Sequence, residues 1–234
     1  MSIEETKKIA NKIDGYLSDK EGEFLYKTAE NCKEGGVIVE IGSWKGKSPV
    51  YLAKGSKAGN NIVIYTIDPH QGTQDHRDHK IINTFNEFKR NIKEAGVDDI
   101  VEPIIKTSKE ASKDWNKPIK FLWIDGDHSY EMVRLDFKLW SPHLLKGGII
   151  AFHDAVSGGP KKVVCDFVLK SDKFGNAGLI DTIFYAQRLD NLSLKDKSRN
   201  RAMIILLNIY EVFRGIPLPK SLRKLIKGIV AKIV

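Results

Sequence analysis

The sequence predicts an α/β fold: a Rossmann-like, doubly wound and mostly parallel sheet with helices on both faces. Between residues 37 and 154, five short apolar runs rich in Val and Ile alternate with segments of helical periodicity. This alternation is typical of a parallel sheet with crossover helices. Polar residues follow the runs, at the strand ends where such sheets bind ligands. The length of 234 residues and the hydrophobic fraction of 41% suit one globular domain with short appendages.

The N-terminal segment, residues 3–33, is predicted to be helical. Its apolar side chains recur at helical spacing, and Gly15 and Gly22 are expected to interrupt the helix. Gly35 and Gly36 end this segment. Residues 1–34 are therefore interpreted as a helical cap in front of the central domain.

Five buried strands are predicted in the central domain. They are apolar along almost their whole length, as expected for strands covered on both faces, and they span residues 37–41, 62–68, 100–105, 119–125 and 149–154. Segments with helical patterns separate the strands, at residues 43–54, 81–95, 108–115 and 130–140.

Two more strands are predicted after these five, at residues 179–189 and 202–207, on either side of a basic linker. They would close the sheet as an antiparallel C-terminal pair. The remainder is predicted to be helical, with an interruption at residues 215–219. The predicted division of the chain is a cap at residues 1–34, a central domain at 35–207 and a basic amphipathic helix at 208–234.

The net charge of +8 is concentrated near the C-terminus. Residues 186–234 contain 11 Lys and Arg against 3 Asp and Glu, whereas residues 1–185 contain 27 of each kind. A neutral body argues against a nucleic-acid-binding surface. The C-terminal helix would carry apolar residues on one face and basic residues mostly opposite. It would therefore either contact an anionic membrane surface or pack on the domain or on a second subunit of a homo-oligomer.

Composition also bears on the compartment. No apolar run approaches the roughly 18 residues of a membrane span, and the N-terminus lacks the apolar stretch of a secretion leader. Cys32 and Cys165 follow no disulfide or metal-binding pattern, which favours a reducing compartment. We expect a cytoplasmic protein, with peripheral membrane contact as the alternative.

A glycine turn follows the first strand. Glu40, Gly42, Ser43 and Gly46 lie in the segment EIGSWKGKS, which ends the strand and begins a helix. Gly42 permits a sharp turn and close approach of a ligand, and the helix N-terminus attracts a carboxylate or phosphate. The spacing departs from the dinucleotide fingerprint G-x-G-x-x-G, which disfavours a pyrophosphate site. A turn that only connects strand and helix is the alternative.

Asp68 ends the second strand, 26 residues after Gly42. An acid at this position can accept both hydroxyls of a ribose. The alternative is a helix-capping residue. The glycine turn and Asp68 together indicate a ligand site more strongly than either does alone.

Five polar residues end or directly follow the predicted fourth and fifth strands: Asp125, Asp127, His128, His153 and Asp154. If these strands are neighbours, the five side chains meet at one edge of the sheet. Carboxylates beside imidazoles suit either a hard divalent cation or general-base chemistry. Helix capping or solvent exposure would explain any single one of them, but five on neighbouring strand ends favour a functional site.

The loop at residues 69–79 follows the second strand and contains three histidines, His70, His76 and His79. It should overhang the edge of the sheet. Its two interpretations are a mobile lid over the substrate and a solvated surface loop.

Four segments carry a family resemblance: residues 37–53, 66–69, 121–131 and 144–154. They resemble the class I S-adenosylmethionine-dependent methyltransferases, within them the group of macrocin O-methyltransferase-like and cephalosporin-hydroxylase-type proteins. The most specific parts are IDGDHSYE and LLKGGIIAFHD. The resemblance covers about residues 22 to 185 and implies the Rossmann-like fold of that class.

The resemblance implies S-adenosylmethionine as the cofactor. The contacts that it implies are Glu40, Gly42, Ser43 and Gly46 at the methionine part, Asp68 at the ribose, Thr107 and Ser108 near the adenine, and Asp125 at the end of the fourth strand.

The resemblance also implies a possible divalent cation in the site, Mg²⁺ or Mn²⁺. Related magnesium-dependent catechol-type enzymes use an acid after the fourth strand and an acid–amide pair after the fifth. Asp125 and the pair His153 and Asp154 stand at those positions here. The histidine departs from the pattern, since histidine suits zinc, iron or manganese better than magnesium. His153, Asp154 and His128 are therefore also catalytic candidates, with either histidine as the general base.

The reaction implied is direct transfer of a methyl group to a hydroxyl of a small molecule or glycan. One alternative, a nicotinamide-dependent oxidoreductase, is disfavoured by the missing glycine fingerprint. A second is a non-catalytic or membrane-surface-associated binding protein of the same fold. A third, an RNA methyltransferase, is disfavoured by the neutral body and by the lack of an Asn-Pro-Pro-Tyr-like motif after the fourth strand.

Overall fold

The fold is built on a seven-stranded sheet, which the computed structural model describes within residues 1–72 and 83–214. The strand order is β3-β2-β1-β4-β5-β7-β6. Neighbours among β1 to β5 are parallel, whereas β7 runs antiparallel to both β5 and β6. The predicted Rossmann-like sheet with an antiparallel C-terminal pair is confirmed. The strands are β1 (Val37–Ile41), β2 (Ile64–Ile67), β3 (Val101–Ile104), β4 (Ile119–Ile124), β5 (Leu144–Phe152), β6 (Phe174–Ile180) and β7 (Ile183–Arg188).

Eight α-helices accompany the sheet in the described part of the chain. They are α1 (Ile3–Ala10), α2 (Asp19–Glu30), α3 (Lys47–Ala58), α4 (Phe85–Glu94), α5 (Ser108–Ala111), α6 (Tyr130–Trp140), α7 (Gly158–Val163) and α8 (Leu194–Arg214). A π-helical segment, Val164–Leu169, continues α7. None of the described helices is long and apolar enough to cross a membrane.

Each strand of the sheet centre is buried on both faces because its apolar residues alternate between two cores. Phe121 and Trp123 of β4 point into the core covered by α1 to α4, whereas Leu122 and Ile124 point into the core covered by α5 to α8. This two-residue alternation explains why the strands are apolar throughout instead of alternating apolar and polar.

The prediction of a strand at residues 202–207 is wrong. These residues belong to α8, which buries Met203 and Leu207 against the sheet side and leaves Ile205 exposed. The second strand of the antiparallel pair is β6, which lies before β7. A second correction concerns Gly22, which lies inside α2 and does not interrupt it. A side chain there would clash with the Tyr51 ring, 2.4 Å from the position of a Cβ.

The topology brings the polar residues that follow the strands into one row. Beyond the strand ends, the Gly42 amide donates to the Ile67 carbonyl, the Asp125 amide to Ile41 and the His153 amide to Ile124. The ladder of hydrogen bonds thus continues by one residue at the carboxyl edge of the sheet. The candidate site is built on this edge.

Candidate functional site

The glycine turn after β1 is held by Asp68. Its carboxylate accepts hydrogen bonds from the backbone amides of Ser43 (2.9 Å), Trp44 (2.8 Å) and His70 (2.6 Å). Gly42 has a φ of +86° and packs directly on the backbone of Asp125. The observed role of Asp68 is therefore to fix the shape of this turn, and the ribose contact stays a prediction.

Two buried side-chain oxygens in the same region have no hydrogen-bond partner among the described residues. Glu40 is fully buried; the Ser48 hydroxyl donates to its Oε1, but its Oε2 has no hydrogen-bond partner. The Ser43 hydroxyl is also buried without a partner. Burial raises the pKa of Glu40 well above its ordinary value. Unpartnered buried polar atoms are uncommon in native folds, so a bound ligand is a physical reason for them here.

The first turn of α3 also remains available to a ligand. The helix starts at the N-cap Gly46, which has a φ of +93° and offers no capping side chain. The free amides of a helix N-terminus favour a carboxylate or phosphate. The turn, Glu40, Ser43 and this helix end therefore fit the carboxylate-bearing end of the predicted cofactor.

A cluster of histidines and carboxylates occupies the ends of β4 and β5. His153 Nδ1 lies 3.0 Å from Asp125 Oδ1, and His128 Nε2 lies 3.7 Å from the same oxygen. Asp154 Oδ2 is 3.7 Å from His128 Nδ1 and 3.8 Å from His153 Nδ1. The structure thus brings together all three predicted catalytic residues and the predicted metal ligands.

The two histidines of this cluster differ in access. The His153 side chain is 5% exposed, whereas the His128 side chain is 45% exposed. Burial disfavours the charged form of His153, but Asp125, Glu21 and Asp154 outweigh it and raise the pKa of His153 to about 11. The nearby carboxylate of Asp125 raises the pKa of His128. Burial would raise the pKa of Asp125, but the two imidazoles lower it.

The cluster contains a set of atoms that could hold a metal ion. One ligand atom each from Asp125, His128 and His153 lie within 4.8 Å of one another. One carboxylate and two imidazoles suit manganese, iron or zinc better than magnesium. Asp154 lies beside this set, and its predicted role as a ligand stays a prediction.

A residue that the sequence interpretation missed completes the cluster from the N-terminal cap. Glu21 of α2 is 2% exposed, and its Oε2 lies 3.8 Å from His153 Nε2. Burial would raise the pKa of Glu21, but His153 and hydrogen bonds from Thr182 and Ser18 lower it to about 2. The sequence signal was a capping box, Ser18-x-x-Glu21, which indicates a helix start but no contact with a strand end.

The residues predicted near the adenine are engaged in local structure. Thr107 caps α5 in a reciprocal box with Glu110. The Ser108 hydroxyl accepts a hydrogen bond of 2.8 Å from Trp140 Nε1, and Asp136 of α6 is buried nearby. Their predicted contact with the cofactor stays a prediction. Asp127 accepts a bond from the Ser129 amide in the turn that leads into α6.

The loop after β2 is described only as far as Gly72. His70 is buried, and its Nδ1 lies 3.0 Å from Thr84 Oγ1 while its ring packs against Phe85 and Phe88. Burial lowers the pKa of His70. His70 is therefore packed in the protein interior, and the interpretation of a solvated surface loop does not hold for this residue. The predicted lid, with His76 and His79, lies outside the described residues.

Comparison with known proteins gives one family match. The family model described as a methyltransferase domain matches residues 39–155. A stretch of 126 residues is 31% identical to an uncharacterized protein of Acanthamoeba polyphaga mimivirus and covers 52% of each chain. The chain thus spans about half the length of the curated relative that it matches.

Solved structures of O-methyltransferases share the fold. The O-methyltransferase NovP has 20% identity and a TM-score of 0.65, over 74% of this chain and 81% of NovP. TomG from Streptomyces achromogenes, solved with S-adenosylmethionine (SAM), has 14% identity and a TM-score of 0.58, over 80% of this chain and 89% of TomG. A Bacillus cereus O-methyltransferase, solved with S-adenosylhomocysteine, has 18% identity and a TM-score of 0.56, over 80% of this chain and 90% of that protein.

Proposed function

The chain belongs to the methyltransferase-domain family, and from this premise we propose that it is a SAM-dependent O-methyltransferase acting on a hydroxyl of a small molecule or glycan. The observation that carries the proposal is the row of site residues along the sheet edge. A glycine turn with unpartnered buried Glu40 and Ser43 atoms lies directly against Asp125, beside two histidines. The turn that we propose as the cofactor site thus adjoins a group of acid–base residues.

The residues of the turn fit the cofactor. Glu40, Ser43 and the amides at the start of α3 would hold its methionine end, and Asp68 would hold its ribose. Thr107, Ser108 and Asp125 would complete the contacts. When bound, SAM supplies a methyl group on a positively charged sulfur, which is open to attack by an oxygen nucleophile.

The protein's own contribution is to orient the acceptor and remove its proton. His128 is the accessible imidazole of the cluster, and it lies between the carboxylates of Asp125 and Asp154. We assign it the role of general base, because a base must reach the hydroxyl whose proton it takes. Buried His153 holds Asp125 in place. A divalent cation on Asp125 with His153 and Asp154 would lower the pKa of the hydroxyl instead.

The acceptor side of the site offers aromatic surface. The Tyr16 ring is 77% exposed and stacks on Trp44 of the glycine turn, with centroids 5.6 Å apart and planes inclined by 11°. A flat apolar face beside the turn supports a cyclic acceptor, because stacked rings gain dispersion energy over their whole area.

The other candidate functions have less support. A nicotinamide-dependent oxidoreductase lacks its glycine fingerprint here and belongs to other families. A non-catalytic binding protein has no need to hold the buried His153 between the carboxylates of Asp125 and Glu21, because burying such groups is costly. Free, buried Cys32 and Cys165 support a reducing compartment, so we place the protein in the cytoplasm.

Titration calorimetry with SAM tests the proposed function. We expect micromolar binding by the full chain and no binding of NAD. Asp68→Ala should weaken SAM binding roughly 30-fold or more, because it frees the three amides that shape the turn. Asp172→Ala, at a fully solvated carboxylate, is the control and should bind as the wild type does. Absence of SAM binding under all conditions would refute the proposal.

The same titration is repeated with Mg²⁺, Mn²⁺ and chelator to separate the two ways of activating the hydroxyl. Tighter binding with Mn²⁺ supports a metal on Asp125, His153 and Asp154. Binding that is indifferent to cation and chelator supports His128 acting alone as the base.

We further propose that α8 and the C-terminal segment contact an anionic membrane surface. Ile205, Ile209 and Val212 form an exposed apolar stripe on the face of α8 opposite to the one packed on the domain. The surrounding C-terminal residues carry the whole net charge of the protein, which complements anionic lipid. The amphipathic pattern after residue 214 lies outside the described residues and stays a prediction.

Sedimentation with vesicles tests this contact. We expect binding to phosphatidylglycerol vesicles that weakens with salt, and little binding to phosphatidylcholine vesicles. Ile205→Asp together with Ile209→Asp should reduce binding at least tenfold, whereas Met132→Asp, at an exposed apolar residue on another helix, should not. Absence of binding to both kinds of vesicle would refute the proposal. If the protein is then dimeric by light scattering, the stripe is identified as a subunit interface.

A further inference from the structure

One buried residue outside the span of the family match, Glu21, reaches the catalytic cluster, and the half-buried Thr182 binds it. Glu21 lies on α2, and Thr182 lies in the turn between β6 and β7. Glu21 Oε1 accepts hydrogen bonds from the Thr182 amide (3.0 Å) and hydroxyl (2.6 Å), and Oε2 accepts one from the Ser18 amide (2.9 Å). Three hydrogen bonds from two separate parts of the chain thus fix the position of this carboxylate.

The imidazole of His153 lies between two carboxylates. Its Nδ1 is 3.0 Å from Asp125 Oδ1, and its Nε2 is 3.8 Å from Glu21 Oε2. His153 Nε2 is buried and makes no hydrogen bond with any residue that the structure describes. A buried ring nitrogen without a partner is costly, so a small movement that brings Nε2 to Glu21 is favoured.

Resting on the proposed function, we propose that Glu21 is a positioning residue for His153. The Nε2–H of His153 donates a hydrogen bond to the Glu21 carboxylate, and this contact orients the ring so that Nδ1 faces Asp125. Asp125 in turn faces the general base His128. The N-terminal cap is therefore part of the active site, through a contact that the family match at residues 39–155 does not include.

A purely structural role for Glu21 must be separated from this one. Glu21 also closes the capping box at the start of α2, as Glu5 does with Ser2 at the start of α1. Glu5 belongs to an exposed box, in which its carboxylate bonds Ser2. Glu5→Gln is therefore the matched control for Glu21→Gln, because it makes the same chemical change in the same capping motif.

The experiment is ¹⁵N-edited NMR of the histidine side chains in the full-length protein, with His153 assigned by the loss of its signals in His153→Gln. In the wild type we expect a proton on His153 Nε2 that exchanges slowly with water. In Glu21→Gln the Nε2 resonance should shift and its proton should exchange at least tenfold faster. In Glu5→Gln the Nε2 resonance and the exchange rate of its proton should be the same as in the wild type.

Two outcomes overturn the proposal. One is a wild-type His153 with no proton on Nε2, a result that does not depend on the folding of Glu21→Gln. The other is a His153 spectrum that is the same in Glu21→Gln as in the wild type. If Glu21→Gln does not fold, Thr182→Val removes one hydrogen bond to the carboxylate and should shift the same resonance in the same direction. The spectra require no methyl donor, so a failure to bind SAM refutes the proposed function separately.

Discussion

Gly42→Ala is expected to lower the free energy of unfolding by about 3–5 kcal/mol and to abolish binding of SAM. A Cβ at this position would lie 2.3 Å from the carbonyl oxygen of Asp125 and 2.7 Å from the Cα of Gly126. Both are backbone atoms directly after β4, a central strand of the sheet, so neither can rotate away as a side chain could. The ends of β1 and β4 must therefore separate. This movement changes the position of the glycine turn relative to the catalytic cluster. Urea denaturation and calorimetry measure the two effects.

Gly35→Ala separates the clash from the backbone strain. Gly35 has a φ of +95°, close to that of Gly42, but apart from its chain neighbours no described residue has a heavy atom within 4 Å of the position of its Cβ. Its substitution should therefore cost only the strain of a left-handed backbone, about 1–2 kcal/mol, and should leave SAM binding intact. Equal losses of stability in the two variants would contradict the close approach of Gly42 to Asp125.

The strands of the sheet centre could be predicted because their apolar runs are short, rich in β-branched residues and bounded by glycine or polar residues. The run at residues 202–207 is equally apolar, yet it is helical. It lies in a helix that places Met203 and Leu207 inward while Ile205 and Ile209 lie outward. With apolar residues on both faces, the helical period disappears from the sequence. Such a run cannot be distinguished from a buried strand by periodicity alone.

The part of the site that could be predicted is the part that the topology dictates. Parallel strands with adjacent ends bring Asp125, His128 and His153 together, whatever the details of packing. Glu21 could not be found in this way, since it is 132 residues from His153 in the sequence. Its approach depends on how α2 packs against the turn between β6 and β7, and a capping box does not encode that contact.

Asp136 is expected to make the stability of the folded chain decrease as the pH rises from about 4 to about 7. Its side chain is 2% exposed, and its Oδ1 has no hydrogen-bond partner within residues 1–72 and 83–214. Burial, with a smaller contribution from the charge of Asp127, raises the pKa of Asp136 to about 7, although Ser108 opposes the shift. Unfolding returns the carboxyl to water, where its pKa is about 3.9.

The sign of the effect follows from the proton balance. Between the two pKa values the folded chain keeps the proton of Asp136 and the unfolded chain loses it, so unfolding becomes more favourable with rising pH. Below about pH 4 Asp136 is protonated in both the folded and the unfolded state, so it causes no loss of stability. Above about pH 7 the loss levels off at about 4 kcal/mol.

Asp136→Asn removes the ionisation while keeping the shape of the side chain. The stability of this variant relative to the wild type should increase by roughly 3 kcal/mol between pH 4.5 and pH 8. That difference corresponds to a gain of roughly 6–12 °C in the melting temperature relative to the wild type. Thermal melts at the two pH values measure it.

The comparison between the two pH values cancels any fixed effect of the amide on packing, since that effect is present at both. Asp172→Asn, at a solvated carboxylate, should change stability by less than about 0.5 kcal/mol at either pH. A relative stability of Asp136→Asn that does not vary with pH would mean that Asp136 stays ionised in the fold. A buried carboxylate can stay ionised only with donors close to both oxygens, so Oδ1 would then have a partner, and the packing of α6 against Ser108 would differ from the one described above.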